Sequence, residues 1–223
     1  MKKKQNANSR IFKSEILESF SKTSPYLTLA FYIPLIFIMI MVSHFYLRIV
    51  FSEILIAVFF GIVCWTLVEY LIHRYLFHLP GNSAFSKRFS FILHGIHHQF
   101  PRDPARLFMP PLPGLIIIML LLFIFSIPFS VFSFPFVAGL INGYLIYAFL
   151  HFSMHTRKPP KLLKKLWTHH ALHHYKDEKS AFGVSTIFWD KLFSTMPVKK
   201  GSEISDLPLQ KNESVNEKIN LLK

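Results

Sequence analysis

From Tyr26 to Leu47 the chain carries no Asp, Glu, Lys or Arg. A helix needs about 20 consecutive apolar residues to cross a bilayer, and a helix apolar on every side must be buried in a large core or in lipid. Three more such stretches follow: Ile49–Ile72, interrupted by Glu53 and by Glu69 near its end, then Leu112–Ile127, then Val131–Leu150. Four of them in 223 residues leave too little polar chain to cover them. The expected architecture is an all-α integral membrane protein, with four transmembrane helices in two hairpins and a cytosolic helical cap. Arg48 marks the turn of the first hairpin and Pro128–Pro135 that of the second.

The formal net charge is +13, and its placement argues for topology rather than for nucleic acid. With an inside N-terminus, all of the 25 Lys and Arg except Arg48 fall on one side, as the positive-inside rule expects. The protein is thus expected to be multi-pass with both termini cytoplasmic. Its basic excess also suits anionic headgroups, at about 1 kcal/mol per surface Lys or Arg. The lone Cys64 sits in an apolar stretch and reads as a small buried hydrophobe. No disulfide or cysteine-based zinc site is possible with it.

Three segments are expected: a polar basic segment 1–24, a membrane-embedded domain 25–197, and a polar tail 198–223. Residues 1–24 are too polar for a secretory signal, and Ser14–Glu18 can form a short interfacial helix. Ser24-Pro25 marks a helix start, since proline is tolerated in the first turn. Pro34 is placed to kink the first span, and the prolines from Pro101 to Pro113 forbid a continuous helix there.

All but His44 and His169 of the 12 histidines fall in four clusters: His73 with His78; His94, His97 and His98; His151 with His155; His170, His173 and His174. His73 ends the second span and His151 the fourth, so all ten fall on one membrane face. Helical residues three and four apart share a face, so each His-x-x-His-His can point its imidazoles one way, and His151 can pair with His155. His73 and His78 are five apart, about 140° of rotation on a straight helix. They converge if the helix ends or bends between them, or they reach neighbouring ions. Ten imidazoles exceed what one octahedral ion takes and suit two.

Imidazole binds zinc, copper, iron and nickel. Structural zinc favours cysteine, whereas two iron ions with an open face suit dioxygen chemistry. Iron is the expected metal, and zinc can occupy the same ligands. Ligand imidazoles usually donate their second N–H to a carboxylate or carbonyl, and Glu69, Asp177, Glu178 and Asp190 are candidates. Glu69 either orients a histidine or sits at headgroup level, and Asp190 serves equally as a helix cap. The aromatics Phe91, Phe108, Phe182 and Trp189 fit core packing as readily as an acyl slot.

The runs Glu69-Tyr-Leu-Ile-His-Arg-Tyr-Leu-Phe-His78, Leu93-His-Gly-Ile-His-His-Gln-Phe-Pro101 and Arg106-Leu-Phe-Met-Pro-Pro-Leu-Pro113 carry a likeness. So do His170-Ala-Leu-His-His-Tyr175 and Phe182-Gly-Val-Ser-Thr-Ile-Phe-Trp-Asp190. Over about residues 53–197 the sequence resembles the fatty acid hydroxylase and sterol desaturase superfamily, and more closely its fatty acid 2-hydroxylases. The resemblance implies a membrane enzyme that inserts one oxygen atom of dioxygen beside the carbonyl of a lipid acyl chain. It implies the same ten histidines as ligands, with His170 rather than His169. Eukaryotic members carry a fused haem electron carrier where this chain has its short polar segment. A separate electron-donor protein and a bacterial inner membrane are therefore expected. Two other readings remain: a carotenoid or sterol hydroxylase or desaturase with the same site, and a metal carrier. The carrier needs polar groups along the bilayer interior, where the spans hold almost none beyond Glu53 and Glu69.

Overall fold

The computed structural model describes residues 9–79, 81 and 83–197. The first eight residues of the basic segment and the tail 198–223 lie outside the described residues.

Helix α1 (Glu15–Phe20) starts at Ser14, whose hydroxyl caps it, with Glu15 and Glu18 in the first turn. Its acids suit the positive end of the helix dipole. Helix α2 (Pro25–Met41) is capped by Ser24 and runs through Pro34, and a wide turn (Val42–Tyr46) continues it. The chain reverses at Arg48, φ +59°, where His44 Nδ1 lies 3.2 Å from the Ile49 carbonyl. Helix α3 (Phe51–Leu71) returns and passes into a second wide turn, Ile72–Phe77. Helix α4 (Ala84–Ser90) leads through a third, Phe91–Gly95, into the short α5 (Ile96–Gln99). The proline-rich segment that follows is not a continuous helix, as expected. Asp103 caps a single turn at Pro104–Arg106 before α6 (Pro111–Phe129) begins. Then come α7 (Ser133–Thr156), α8 (Lys164–Tyr175) and α9 (Phe188–Leu192).

Among the described residues, three helical stretches are long and apolar enough to cross a membrane: Pro25–Tyr46, Phe51–Phe77 and Pro104–Thr156. The third covers 53 residues, far more than one crossing takes. It is broken at Ser130, where φ is +48°. Phe136 there packs on Phe125 and Phe129, with ring centroids 4.8 and 4.9 Å apart. Helices α6 and α7 thus fold back on one another where the second hairpin was expected.

Helix α7 forms the centre, with α2, α3 and α6 packed round it. Val137, Ala138, Leu140, Ile141, Tyr144 and Leu145 of α7 are buried. Phe37, Phe59, Ile116 and Phe123 on the outer helices are exposed, so apolar side chains cover the outside as well. The α3–α7 contact is backbone to backbone. A Cβ at Gly61 would lie 2.2 Å from the Phe136 carbonyl oxygen, and one at Gly139 would lie 2.2 Å from that of Val58. Gly143, one turn on, faces Trp65. A pair of small residues four apart is a recurring device for close helix approach in membranes. This contact fixes the ends of α3 and α7 side by side, and both ends carry histidines.

Candidate metal centre

The turn Ile72–Phe77 answers the five-residue spacing of the first histidine pair. The N–H of His78 bonds the carbonyl of His73 at 3.2 Å, an i→i+5 pairing that widens the helix. Residues five apart then lie nearly one above the other, and the rings of His73 and His78 come to 5.2 Å. His94 sits in the wide turn before α5, His97 and His98 on α5. His151 and His155 lie on the last turns of α7, and His170, His173 and His174 on α8.

These ten residues converge into two groups. One holds His73, His78, His94, His98 and His173; the other holds His97, His151, His155, His170 and His174. Within each group one ring nitrogen per residue lies within 4.8 Å of all the others. Nearest Nε2 pairs are closer still. His94 is 3.0 Å from both His73 and His98, and His78 is 3.1 Å from His173. In the second group His97–His174 and His151–His155 are 3.1 Å apart, and His155–His170 2.8 Å.

One expectation needs correction. Neither His-x-x-His-His run aims all three rings one way. The i,i+4 pair of each run goes to one group and its middle histidine to the other. His94 and His98 join the first group while His97 joins the second; His170 and His174 join the second while His173 joins the first. Each motif therefore straddles both groups, and the rings of His98 and His174 stack at 4.1 Å across the divide.

Burial sets the charge state. It pushes His94, His97, His170 and His174 well below the ordinary imidazole value, and neighbouring rings push the same way. Burial takes His78 to about 4, and it takes His173 to about 4 although the Ser180 carbonyl favours the protonated ring. Neutral imidazoles present lone pairs. A proton shared between two of them satisfies one pair only, yet His94 Nε2 meets two partners and each group gathers five rings. Buried polar atoms left unpaired are costly, and a cation amid each group removes the conflict. At about 2.0–2.1 Å from such an ion, neighbouring nitrogens would stand near the observed 2.8–3.1 Å. The donor set fits a nitrogen-ligated transition metal in each group.

Two histidines stay apart. His44 lies at the far hairpin. His169 Nε2 meets Asp190 Oδ2 at 2.9 Å and belongs to neither group.

Among the four candidate acids, Glu178 approaches a candidate ligand histidine, and the other three have different partners. Glu69 makes no hydrogen bond to a histidine; its buried carboxylate accepts the N–H groups of Val184 and Ser185 at 2.6 and 2.9 Å, and the Ser185 hydroxyl. Asp190 accepts the N–H groups of Phe182 and Gly183 at 2.9 and 2.8 Å. Burial works against the Asp190 carboxylate, but His169, Thr195 and Gly183 outweigh it and hold it below its usual range. Asp177 binds the N–H of Lys179, and Glu178 lies 3.7 Å from His98 Nδ1. Backbone carbonyls orient two rings instead: His73 Nδ1 donates to Phe182 O at 2.5 Å and His173 Nδ1 to Ser180 O at 2.7 Å. Sequence offered no signal for these, since every residue has a carbonyl.

Along α3 runs an apolar slot of about 530 Å³, lined by Ala57, Phe60, Cys64 and Leu67, by Phe132 from the α6–α7 turn, by Phe136 of α7, and by Trp189. Trp189 Nε1 donates to Thr66 Oγ1 at 3.0 Å, toward the end of α3 that leads to His73. Of the aromatics singled out in the sequence, Trp189 lines the slot. Phe108 packs on Phe149 and Phe152, and Phe182 beside His73 and His173.

The sequence profile of the fatty acid hydroxylase family matches residues 58–195. A fatty acid 2-hydroxylase of Rattus norvegicus is 34% identical over 211 residues, spanning 84% of this chain and 56% of the rat protein. The chain thus spans about half the length of that relative. The dihydroceramide fatty acyl 2-hydroxylase FAH2 of Arabidopsis thaliana is 30% identical over 84% of this chain and 80% of its own. A solved structure, full-length scs7p with only its hydroxylase domain visible, superposes with a TM-score of 0.74 at 31% identity, covering 87% of this chain and 72% of that one. The chain belongs to the fatty acid hydroxylase family.

Proposed function

We propose that the protein is a membrane-embedded diiron monooxygenase that hydroxylates the 2-position of a lipid acyl chain, a free fatty acid or the N-acyl chain of a sphingolipid. One observation carries the reading: ten imidazoles, six buried and four half-buried, gathered into two groups of five, in a chain whose relatives are named as 2-hydroxylases. The reading includes four spans, α2, α3, α6 and α7, with both termini cytoplasmic and the histidines at the inner ends of α3 and α7. The basic residues on that side support this orientation.

His73, His78, His94, His98 and His173 would hold one iron and His97, His151, His155, His170 and His174 the other. Bound there, the iron pair supplies dioxygen activation, with two electrons from a donor protein and two protons completing hydroxylation and forming water. The chain's own residues do the rest. Phe182 O and Ser180 O keep the protons of His73 and His173 on Nδ1, which leaves Nε2 free to ligate. Burial keeps water from His73, His94, His97, His151, His170 and His173. The slot under Trp189 takes the acyl chain, its volume being within the usual range for ligand sites.

The test is mass spectrometry of host lipids after expression under air, beside a His97→Ala control. New 2-hydroxy acyl chains in the wild type alone are expected. A changed sterol or carotenoid profile with no 2-hydroxy lipid would instead move the substrate within the family.

A further inference from the structure

The metal-centre reading leaves Glu69 without a ligand role, yet few groups in the molecule are held so firmly. Four consecutive backbone N–H groups, those of Phe182, Gly183, Val184 and Ser185, end on two carboxylates. Asp190 takes the first two and Glu69 the last two. Both acids are buried, Glu69 4% and Asp190 0% exposed. Asp190 is braced in turn by His169 and by Thr195 Oγ1 at 2.7 Å. Thr195 meets the Tyr70 hydroxyl at 2.9 Å, and Arg74 donates to that hydroxyl at 2.8 Å. Glu69 and Tyr70 leave the last turn of α3, one turn before His73. The segment 180–185 is thus strapped between α3 and α9. Its N–H groups face the acids, while the carbonyls of Ser180 and Phe182 face His173 and His73.

Both of those histidines belong to the first group of five. In the second group the Nδ1 atoms of His97, His151, His170 and His174 are buried and meet no hydrogen-bond acceptor among the described residues. An acceptor behind a ligand imidazole fixes its tautomer and raises its basicity, and losing it costs about 10–100-fold in metal affinity. We propose that Glu69 is a positioning residue for one metal position only. Through the 180–185 backbone it sets the imidazoles of His73 and His173, and it leaves the second group alone. The inference rests on the metal-centre reading above and adds to it that the two positions are held by unequal means.

The experiment uses the full chain in detergent, loaded anaerobically with ferrous iron. Iron retained per chain is counted against a graded series of chelators. His170→Ala disables the second group and His78→Ala the first, so each background reports one ion. Glu69→Ala is expected to weaken retention about 10–100-fold in the His170→Ala background and to change nothing in the His78→Ala background. Glu69→Gln, which keeps a carbonyl oxygen for Val184 and Ser185, is expected to restore most of the loss. Monodisperse elution checks folding. Where Glu69→Ala does not fold, Ser185→Ala removes a single donor and is expected to give a smaller loss, again in the first group alone. Equal losses in both backgrounds, or none in either, overturn the proposal. A parent chain that binds no iron removes the metal-centre reading and this inference together. Two bound ions indifferent to Glu69 remove this inference alone.

Discussion

The carbonyl oxygen of Phe182 accepts the Nδ1–H of His73 at 2.5 Å, across 109 residues of sequence. A carbonyl cannot donate, so the contact fixes the tautomer of His73 and aims Nε2 at its four neighbours. The adjoining Gly183 makes this position of the loop possible. A Cβ there would lie 2.1 Å from the Thr186 carbonyl oxygen and 2.8 Å from Asp190 Oδ2. Gly183→Ala is expected to push the loop off Asp190, withdraw the Phe182 carbonyl and lower metal affinity of the first group about 10–100-fold. Metal counts beside a circular dichroism spectrum check this: helix content unchanged, iron reduced. Full iron content in that variant would show that the loop does not set the ring.

His97 is the one member of its motif that turns to the second group. His97→Ala is expected to abolish hydroxylation and to cut bound iron from two ions to about one, while the protein still inserts. His44→Ala should leave iron and activity intact, because that ring sits at the far hairpin against the Ile49 carbonyl. Lipid analysis and metal counting on both variants separate a specific centre from mere histidine richness.

Much of this arrangement was legible in the sequence, for physical reasons. Charge-free stretches report the bilayer, because a charge there is costly, and histidines three and four apart report a shared helix face. The sequence left the convergence of His73 with His78 open, as one outcome if the helix bends between them, since an i→i+5 turn leaves no mark in residue type. Nor was the split of each His-x-x-His-His run between two groups, which follows from how α5 and α8 lie against α7. The work of Glu69 was half legible: an acid in an apolar span needs a partner, but its partners are N–H groups of a loop 115 residues away. Gly139 and Gly143 carried a readable spacing whose meaning depends on Gly61, far off in sequence.

The Gly61–Gly139 contact has no spare room. Gly61→Ala or Gly139→Ala puts a methyl group about where a backbone carbonyl already lies. The helices must separate, at a cost of about 1–3 kcal/mol typical of overpacking. Lower melting temperature in detergent is the expected result, with weakened iron binding, because His73 rides on α3 and His151 on α7. An alanine variant as stable as the parent would mean that the helices pack otherwise.

Glu18 ties the N-terminal segment to the rest of the protein. Its carboxylate accepts the N–H groups of Ile11 and Phe12 at 3.0 Å, pairs with Lys22 at 2.8 Å and accepts from the buried Arg106. Burial works against its charge, but Lys22, the two N–H groups and Arg106 together bring it down to about 2. A carboxylate with a lowered folded value stabilises the fold above its unfolded value of 4.5. That stability drains away as pH falls from there toward 2, and amounts to on the order of 2 kcal/mol. Protease cleavage near residue 13 is expected to rise over this window in the wild type. Glu18→Gln should be cut readily at neutral pH and show a flatter response. Burial brings His78 and His173 to about 4, inside the same window, so the comparison between the two proteins, not either curve alone, isolates Glu18. Identical curves would deny the tie.

Ala57 lies at the end of the slot away from the histidines, ten residues before Leu67 on the same helix and so about 15 Å from it. An acyl chain entering under Trp189 and running along α3 would reach Ala57 only if it were long. Ala57→Phe should therefore shorten the slot without touching the histidines. The product distribution from a mixed lipid pool is expected to move toward shorter acyl chains, with iron content and turnover of short chains preserved. Leu67→Trp, at the histidine end, should instead depress turnover of every chain length. If both variants left the chain-length profile as it is in the wild type, the acyl chain would have to lie elsewhere, and the slot along α3 would be an ordinary lipid-facing crevice.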